Sequence, residues 1–414
     1  MTSTVLQRTE LELPVSKFGT VEPCVIETTL GPITLDVRGD VESSAGVWDS
    51  LLETAPFSPS QTYSYARAWV QYVMAPEGRQ PVVAIGYDKD RPLFLWAFEL
   101  GRQFGQPVLI WLGQGYANYN MGLHRPEVAE RLQAGDLKRL LRHIADRVGA
   151  SAALFDAQPF DWGGCENPFA RLPHQPHPSC GYAVKLGNFE QLYHARFGKQ
   201  SRRKYARRER KLAEEGTLAF GWAESDEEKR EVLETFFSQR ELQFAKMGVD
   251  DPFTPPIRAF CRELVTLPDS DPARLRLGYI RVGDFIPATF SGSICRDTLA
   301  VSMSSLAESD MQRYSPGLVL LRRQIEWACN EGLSYYDIGV GGARHKERWS
   351  DVIRPLFDSF IAFKPQGLFV TLPLSGLSRA KRSIKNNRTL WPLVQKIRRQ
   401  LFGQKGHASS EHDD

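Results

Sequence analysis

Apolar residues alternate with small polar residues at period two over residues 298–306, and this pattern predicts a β-strand. The next segment, 309–317, is polar and rich in turn-forming residues. It contains Ser315 followed by Pro316, the order favoured at the start of a helix. A stripe of apolar residues at helical spacing follows, and after it residues 334–340 are predicted to form a second strand.

The same order of patterns occurs twice along the chain. In each half a predicted hairpin is followed by a third strand, a polar loop, a helix and a further strand. These elements are expected at 81–87, 92–100, 107–112, 127–148 and 152–157, and again at 275–282, 285–294, 298–306, 316–331 and 334–340. The short sequences LFDAQ (154–158) and YYDIG (335–339) also correspond. We therefore predict an α/β (α+β) protein of two tandem halves, each a mixed, mostly antiparallel sheet flanked by helices.

Length and composition suggest the boundaries of these halves. A chain of 414 residues is too long for a single hydrophobic core, and its charged fraction of 24% is that of a globular protein. Residues 159–178 are rich in proline, which predicts a linker. The expected organisation is an N-terminal tail (1–30), a first half (31–158), a linker (159–185), a second half (186–366) and a basic amphipathic tail (367–414).

The polar loop before the helix predicted at 316 is suited to an anion such as a pyrophosphate. The first turn of a helix leaves backbone N–H groups without partners, and the helix dipole favours negative charge there. The dipole contributes only about 1 kcal/mol per charge, whereas micromolar binding needs roughly 8 kcal/mol. Loop amides, Arg313 and a cleft for the rest of the ligand must therefore supply most of the binding energy.

Residues 312–317, QRYSPG, resemble a degenerate form of the acyl-CoA pyrophosphate loop of the GNAT acetyltransferase superfamily, Q/R-x-x-G-x-G/A. Ser315 stands where the superfamily usually has glycine. The sequences YDIG (336–339) and KERW (346–349) resemble the CelD/BcsL-type branch, which is associated with cellulose and exopolysaccharide synthesis and related to the FemAB aminoacyl ligases. The resemblance covers roughly residues 190–365. It implies two GNAT-like halves, of which only the second keeps a cofactor loop.

This resemblance implies an acyl-CoA-dependent N- or O-acyltransferase that transfers an acyl group directly to a sugar, a glycan or a small amine. Acetyl-CoA or another acyl-CoA would be the co-substrate, and no metal is expected. The residues expected to bind the co-substrate are Met303, Ser304 and Ser305, through their backbone, and Gln312, Arg313, Tyr314, Ser315, Gly317 and Leu318.

Three residues are candidates for proton transfer. Asp337 lies at the end of its predicted strand and His345 titrates near neutrality, so either is a candidate general base. Asp337 is alternatively a core carboxylate paired with the basic residue at 344 or 346. By resemblance, Tyr314 is expected to protonate the departing thiolate, and Lys346 and Trp349 are expected to bind the acceptor.

Two segments concentrate positive charge although the net charge is only +3. Residues 199–211 hold eight cations, among them Arg203 and Arg207. They are predicted to form either a solvated helix or a rim that steers an anion, such as the 3′-phosphate of CoA or a nucleic acid. Residues 377–402 are predicted to form basic amphipathic helices, either packed on the protein or in peripheral contact with a membrane.

Two alternatives to the acyl-CoA-dependent enzyme stay open. One is a FemAB-like ligase that takes an aminoacyl group from tRNA, which the basic segment 199–211 favours; nucleic acid is not expected otherwise. The other is a non-catalytic GNAT-like scaffold of a polysaccharide synthase complex, which Ser315 supports. Scattered cysteines and the lack of a long apolar run or a signal-peptide pattern predict a cytoplasmic protein, membrane-associated if 377–402 binds lipid.

Overall fold

The computed structural model describes residues 22–386, which form two large sheets flanked by helices. The helices are α1 (Ala45–Thr54), α2 (Tyr63–Trp69), α3 (Pro126–Arg131), α4 (Ala134–Val148), α5 (Phe189–Arg196), α6 (Lys199–Glu215), α7 (Asp226–Met247), α8 (Pro255–Thr266), α9 (Pro316–Asn330), α10 (Arg344–Trp349) and α11 (Leu368–Asn386). The strands are β1 (Cys24–Thr28), β2 (Gly31–Arg38), β3 (Pro81–Asp88), β4 (Arg91–Gln103), β5 (Gln106–Trp111), β6 (Leu123–His124), β7 (Ala152–Pro159), β8 (Asp161–Trp162), β9 (Cys165–Glu166), β10 (Gln175–Pro176), β11 (Gly181–Lys185), β12 (Leu218–Trp222), β13 (Arg276–Val282), β14 (Phe285–Cys295), β15 (Thr298–Leu306), β16 (Tyr335–Val340), β17 (Val352–Arg354) and β18 (Leu356–Ala362). Within residues 22–386 no helix is both long and apolar enough to span a lipid bilayer.

The two large sheets share one design. The first sheet has the strand order β1-β2-β3-β4-β5-β7-β18-β10, with β6 beside β4, and the second has the order β12-β13-β14-β15-β16-β11-β17. In each sheet an antiparallel meander leads to one parallel pair, which is β5 with β7 in the first sheet and β15 with β16 in the second. The next strand pairs antiparallel again, β18 on β7 and β11 on β16. The predicted duplication of a mixed, mostly antiparallel sheet is confirmed.

Local patterns place most elements correctly. The period-two segment 298–306 is β15, whose alternate residues are buried. The apolar stripe after Pro316 is the buried face of α9, which includes Val319 and Ile325. The single helix expected over 127–148 is divided into α3 and α4, because Gln133 forms a capping box with Asp136 and starts a new helix.

The structure differs from the predicted boundaries because the chain crosses between the sheets twice. β18 lies within the predicted second half (186–366) but pairs with β7 in the first sheet. β11, expected in the linker, instead lies between β16 and β17 in the second sheet. Alternation of apolar residues identifies a strand but not its partner, and both β7 and β16 offer an unpaired edge that the exchanged strands fill. We refer to residues 175–185 and 352–362 as the exchanged segments.

The two halves also share a hydrophobic core. One cluster joins Trp48 and Trp69 of the first half to Phe236, Phe237 and Phe260 of α7 and α8. The ring centroids of Trp69 and Phe260 lie 5.2 Å apart in an edge-on arrangement. Truncating such a buried aromatic residue to alanine typically costs about 3–5 kcal/mol. Apolar packing therefore joins the halves in addition to the exchanged segments.

The C-terminal helix α11 packs on the first sheet. Val370 is fully buried against β5 and β7, and Leu374 packs against the same cluster. The opposite side of α11 exposes Leu368, Phe369 and Leu372. Of the segment predicted to contact membranes, residues 377–386 belong to this helix, and 387–402 lie outside the described residues.

Candidate functional site

The parallel strands β15 and β16 separate after a short pairing. Their ladder has three residue pairs and ends at Ala300 and Asp337, although β15 continues to Leu306 and β16 to Val340. Ser302 is an extra residue on β15 relative to β14, which makes a bulge. Because a bulge bends a strand and increases its twist, β15 turns away from β16 at this point. We call the space between the strands beyond Ala300 and Asp337 the β15–β16 gap.

The side chains of β15 divide between the core and solvent. Met303 is buried in the core that the halves share, and Ser305 donates a hydrogen bond to Gln239 Oε1 on α7 at 2.6 Å. Ser304 points to the other face of the sheet and is exposed. Of the β15 residues expected to bind the co-substrate, Met303 and Ser305 therefore have only their backbone groups available, and Ser304 also has its hydroxyl.

In the loop after β15, some backbone amides are free to bind an anion and others are used in hydrogen bonds within the loop. It forms a 3-10 turn over Asp310–Tyr314, and Ser315 then takes the left-handed conformation with φ 53°. Ser315 thus keeps the backbone conformation that favours glycine, at a strain of roughly 1–3 kcal/mol. The amides of three loop residues donate to carbonyls within the turn: Gln312 to Ser309, Ser315 to Gln312, and Leu318 to Ser315. Among the described residues, the amides of Met311 and Gly317 have no acceptor.

Gly317 permits a close approach of the backbone to β15. A Cβ atom at this position would lie 2.8 Å from Leu306 Cδ2, which is too close for an unshifted side chain. The first turn of α9 therefore presents bare backbone beside the end of β15. Of the loop amides predicted to bind an anion, only those of Met311 and Gly317 are left without an acceptor in the described part of the chain.

Arg313 and Tyr314 are both tied to the end of α6. Arg313 is exposed and lies 3.2 Å from Glu215 Oε1, and its guanidinium stacks on the ring of Tyr314 at 4.8 Å. The hydroxyl of Tyr314 donates to the same Glu215 oxygen at 3.0 Å. The structure therefore directs the Tyr314 hydroxyl to Glu215 and not to Asp337. Its role as proton donor to the thiolate stays a prediction.

Asp337 is a buried carboxylate at the start of the β15–β16 gap. It is 1% exposed. Its Oδ1 atom accepts hydrogen bonds from the amide of Gly339 at 2.7 Å and from the hydroxyl of Tyr119 at 3.0 Å. Its Oδ2 atom has no hydrogen-bond partner among residues 22–386. Such an atom is expected to have a use, because leaving a buried polar atom unpaired costs free energy.

The surroundings of Asp337 favour a protonatable acid. Burial raises the pKa of Asp337 above its usual range, and the Gly339 amide, Arg354, Tyr119 and Lys346 each act to lower it. Lys346 is buried and donates to the Val340 carbonyl at 3.1 Å, so it holds the segment after β16 in place. A carboxylate with a raised pKa and a free oxygen has the two properties required of a general base.

The other residues predicted around Asp337 occupy different places. His345 is exposed on α10. Trp349 is fully buried. Its ring centroid lies 4.7 Å from that of Phe197 and 5.9 Å from that of Tyr193. A tryptophan enclosed in this aromatic cluster has no surface to offer an acceptor. Its predicted role in substrate binding is therefore corrected to one in packing.

Helix α6 presents a positively charged face to solvent. Arg203, Arg207 and Arg210 are exposed, and their spacing places them on one side of the helix. The other face is neutralised or buried, since Glu209 pairs with Arg322 at 3.0 Å and Tyr205 packs in the aromatic cluster. We call Arg203, Arg207 and Arg210 the α6 basic face. Exposure of these arginines fits both alternatives predicted for the segment, a solvated helix and a rim that steers an anion, so the rim stays a prediction.

Three residues of the site were not found from the sequence. Asn118 and Tyr119 belong to a long loop of the first half, and Arg354 to β17. Their contribution to the site depends on how the two halves meet, which no periodicity encodes. The only sequence signal is the concentration of Tyr and Asn in 116–120, unusual for a loop that merely connects two strands.

The part of the chain that forms the site is similar to acetyltransferases. Residues 199–347, from α6 into α10, match the profile of the family described as Acetyltransferase (GNAT) domain. The match includes β15, the loop, α9 and β16. This region therefore has a GNAT-type fold, and the resemblance to that superfamily is confirmed. The narrower resemblance to the CelD/BcsL-type branch stays a prediction.

Solved structures extend the likeness to both halves. The chain is similar to the crystal structure of FemX, with a TM-score of 0.56 and a sequence identity of 10%. The alignment covers 81% of this chain and 100% of FemX. A conserved protein of unknown function from Bacteroides thetaiotaomicron VPI-5482 is 13% identical with a TM-score of 0.50, over 78% of this chain and 99% of that one. At such identities the likeness shows the fold alone. A search of curated protein sequences finds no significant match.

Proposed function

We propose that the second half transfers an acyl group directly from an acyl-CoA thioester to a hydroxyl or amine of a sugar, a glycan or a small amine. The observation that carries this proposal is Asp337, a buried carboxylate with one unpartnered oxygen where β15 and β16 separate. Oδ2 supplies a place for the acceptor's proton, and burial supplies the raised pKa that a base working near neutrality needs.

Each chemical step then has a residue to perform it. Asp337 accepts the proton of the acceptor as the acceptor's oxygen or nitrogen attacks the thioester carbonyl carbon. Backbone amides of β15 near Ser304 stabilise the negative charge that develops on the carbonyl oxygen. When the carbon–sulfur bond breaks, the proton held by Asp337 is available to the departing thiolate. The products are the acylated acceptor and a free thiol.

The loop after β15 is suited to hold the diphosphate of the donor. The unpaired amides of Met311 and Gly317 and the N-terminal end of α9 offer donors and a favourable dipole. Arg313 adds a cation at the same turn. Arg203 and Arg207 on the α6 basic face would serve the more distant 3′-phosphate.

A thermal-shift series tests the donor. The protein is heated with CoA, acetyl-CoA and longer acyl-CoAs, and Arg313→Gln is compared with Arg230→Gln, an exposed arginine on α7. A donor at a hundredfold excess over its dissociation constant should stabilise the protein by about 2.7 kcal/mol. We expect Arg313→Gln to weaken this effect and Arg230→Gln to keep it. If no thioester stabilises the protein, the non-catalytic scaffold becomes the better explanation.

A second candidate function is transfer of an aminoacyl group from tRNA. The α6 basic face favours it, because three exposed arginines in a row on one helix suit an extended polyanion better than a single phosphate. We expect RNA binding to fall steeply with salt and to weaken in Arg203→Gln/Arg207→Gln but not in Arg230→Gln. Activity that survives ribonuclease treatment would exclude this candidate.

We also propose that α11 contacts anionic membranes peripherally. Phe369 is 76% exposed and Leu372 is 65% exposed, and basic residues follow at 379, 381 and 382. Apolar insertion of this kind reinforces a weak electrostatic attraction. Flotation with anionic vesicles should depend on Phe369 and Leu372. Unchanged flotation of Phe369→Ser/Leu372→Ser would exclude α11 as the contact.

A further inference from the structure

Residues 113–122, which we call the bridging loop, connect β5 to β6 in the first half and make three hydrogen bonds to the second. The Tyr116 hydroxyl donates to the Pro252 carbonyl at 2.8 Å. Asn118 Nδ2 donates to the Val301 carbonyl on β15 at 2.9 Å, and the Tyr119 hydroxyl donates to Asp337 Oδ1. Two of these three bonds therefore end on the two strands that border the β15–β16 gap.

Two glycines of the second sheet make room for these side chains. A Cβ atom on Gly181 of β11 would lie 2.3 Å from the Tyr119 hydroxyl oxygen. A Cβ atom on Gly339 of β16 would lie 3.1 Å from Asn118 Nδ2. Gly339 also has a φ of 84°, which favours glycine. The absence of side chains at Gly181 and Gly339 therefore leaves space in the second sheet for Asn118 and Tyr119.

The bridging loop is fixed from its own side as well. Gln61 Nε2 donates to the Tyr119 carbonyl at 3.0 Å, and the Asn120 amide donates to the Ala157 carbonyl at 3.2 Å. Tyr119 is 2% exposed. A loop held on both sides presents its side chains in one geometry, which is the condition for precise positioning of a reacting group.

We propose that the first half completes the acyl-transfer site of the second half through the bridging loop. Tyr119 positions Asp337, and Asn118 closes the inner end of the β15–β16 gap and so limits the size of the acyl group. This inference rests on the proposed function. It assigns the first half a direct part in the reaction of the second.

Tyr119 acts by occupying one oxygen of Asp337. With the Gly339 amide it gives Oδ1 two donors, so the carboxylate cannot turn and Oδ2 is left for the acceptor's proton. The other charged groups that face Asp337 are Arg354 and Lys346. The Tyr119 hydrogen bond favours the ionised carboxylate, so its loss should make Asp337 a weaker acid.

Asn118 acts as a barrier. Its side chain donates to the Val301 carbonyl on β15 and occupies the space where a Cβ atom of residue 339 on β16 would lie, just beyond the last pair of their ladder. An acyl chain that enters the gap from its open end must stop at this amide. The substitution Asn118→Ala removes the side-chain amide and leaves only a methyl group, which would lengthen the β15–β16 gap available to the acyl chain.

The first test compares Tyr119→Phe with Tyr116→Phe. Both variants remove one hydroxyl from the bridging loop, but Tyr116 donates to the loop between α7 and α8. We expect Tyr119→Phe to lower kcat/KM about tenfold and to move the acidic limb of its pH profile up by about one unit. Tyr116→Phe should leave both unchanged.

A readout without turnover separates this inference from the proposed function. The pKa of Asp337, followed by NMR with isotope-labelled aspartate, should rise in Tyr119→Phe and not in Tyr116→Phe. A pKa that is the same in wild type and Tyr119→Phe would overturn the positioning role, whether or not the protein turns over thioesters. Lack of turnover in the wild type, with the pKa shift present, would count against the proposed function alone.

The second test measures acyl-chain preference in Asn118→Ala. Its control is Gln114→Ala, which changes a residue of the same loop that bonds within the first half, to the Trp111 amide. We expect Asn118→Ala to raise the affinity for octanoyl-CoA relative to acetyl-CoA about tenfold, with Gln114→Ala unchanged. An unchanged ratio in Asn118→Ala would overturn the barrier.

Discussion

The two sheets treat the end of their parallel pair in opposite ways. In the second, β15 leads into a short turn and the start of α9, and the strands separate around Asp337. In the first, β5 leads into the bridging loop, which leaves its own sheet and reaches the other one. Asp156 on β7 corresponds to Asp337 in the local sequences LFDAQ and YYDIG, although the β5–β7 ladder ends earlier, at Ala153. It accepts a hydrogen bond from Asn120 Nδ2 at 3.0 Å, and burial raises its pKa to about 7.

The two sheets differ in whether a buried carboxylate oxygen is left without a hydrogen-bond partner. Beside Asp156, Asp358 on β18 accepts from the Ala157 amide at 3.0 Å and from Ser378 at 3.0 Å, and it lies 2.7 Å from His177 Nδ1. Both carboxylate oxygens of Asp358 therefore have partners, whereas Asp337 keeps an unpartnered oxygen. The same sheet design thus surrounds Asp358 with partners in one sheet and leaves an oxygen of Asp337 without one in the other.

The largest effect on stability is expected from removing β18, the strand that follows the second sheet in the chain but pairs in the first. A chain that ends at residue 351 lacks β18 and leaves β7 without its antiparallel partner. We expect it to lose cooperative thermal unfolding, followed by circular dichroism. A chain that ends at residue 364 keeps β18 and lacks α11, and should still unfold cooperatively. Cooperative unfolding of the shorter chain would show that the first half is independent of the exchange.

The next effect compares the two corresponding acids in turnover. Asp337→Asn should lower kcat by about 10²–10⁴-fold, the range expected for loss of a general base. Asp156→Asn should lower kcat far less, because Asp156 contacts the bridging loop through Asn120 and does not itself reach the β15–β16 gap. Steady-state kinetics with the best thioester donor measure both. Similar losses in the two variants would break the functional distinction between the sheets.

A smaller effect concerns stability and pH. Because the pKa of Asp156 is raised to about 7 in the folded protein, the folded state binds more protons than the unfolded state between about pH 4 and pH 7. The free energy of unfolding should therefore fall as pH rises through this window, by at most about 1.4 kcal/mol per pH unit for this group. Denaturant unfolding of Asp156→Asn should show a flatter dependence. An identical slope in the variant would mean that Asp156 titrates normally.

The smallest effect compares two strained residues, one in each half. Ala157 has a φ of 48° and Ser315 a φ of 53°, both in the region that favours glycine. Ala157→Gly and Ser315→Gly should each raise the free energy of unfolding by about 1 kcal/mol, after allowing for the greater freedom of glycine in the unfolded chain. Only Ser315→Gly should also change CoA affinity. A loss of stability in both would show that neither conformation is strained.

Local features of the sequence were predictable, and partnerships between distant residues were not. Alternation gave β15, and the Ser315-Pro316 pair gave the start of α9, because both depend on neighbouring residues alone. The residues of β18 fell within the predicted second half (186–366), but they pair in the first sheet, since a local strand pattern does not specify the partner strand.

The site shows the same limit. Asp337 could be singled out as an acid of the predicted strand, but it lies in the middle of β16 and not at its end, and only its ladder with β15 ends there. Trp349 was misjudged because motif spacing does not distinguish a buried aromatic residue from an exposed one. Asn118 and Tyr119 lie in an irregular segment, and their importance arises only when the two sheets come together.

The exchanged segments also govern the order in which a growing chain can fold. On the ribosome, β1 to β7 emerge first, but β7 waits for its neighbour until residue 356 has been synthesised, after nearly all of the second sheet. An open strand edge during that interval invites pairing with other chains. The first sheet, whose strands β1 to β7 are synthesised before the second sheet, is thus completed after it, so nascent chains that stall before residue 356 should depend strongly on chaperones.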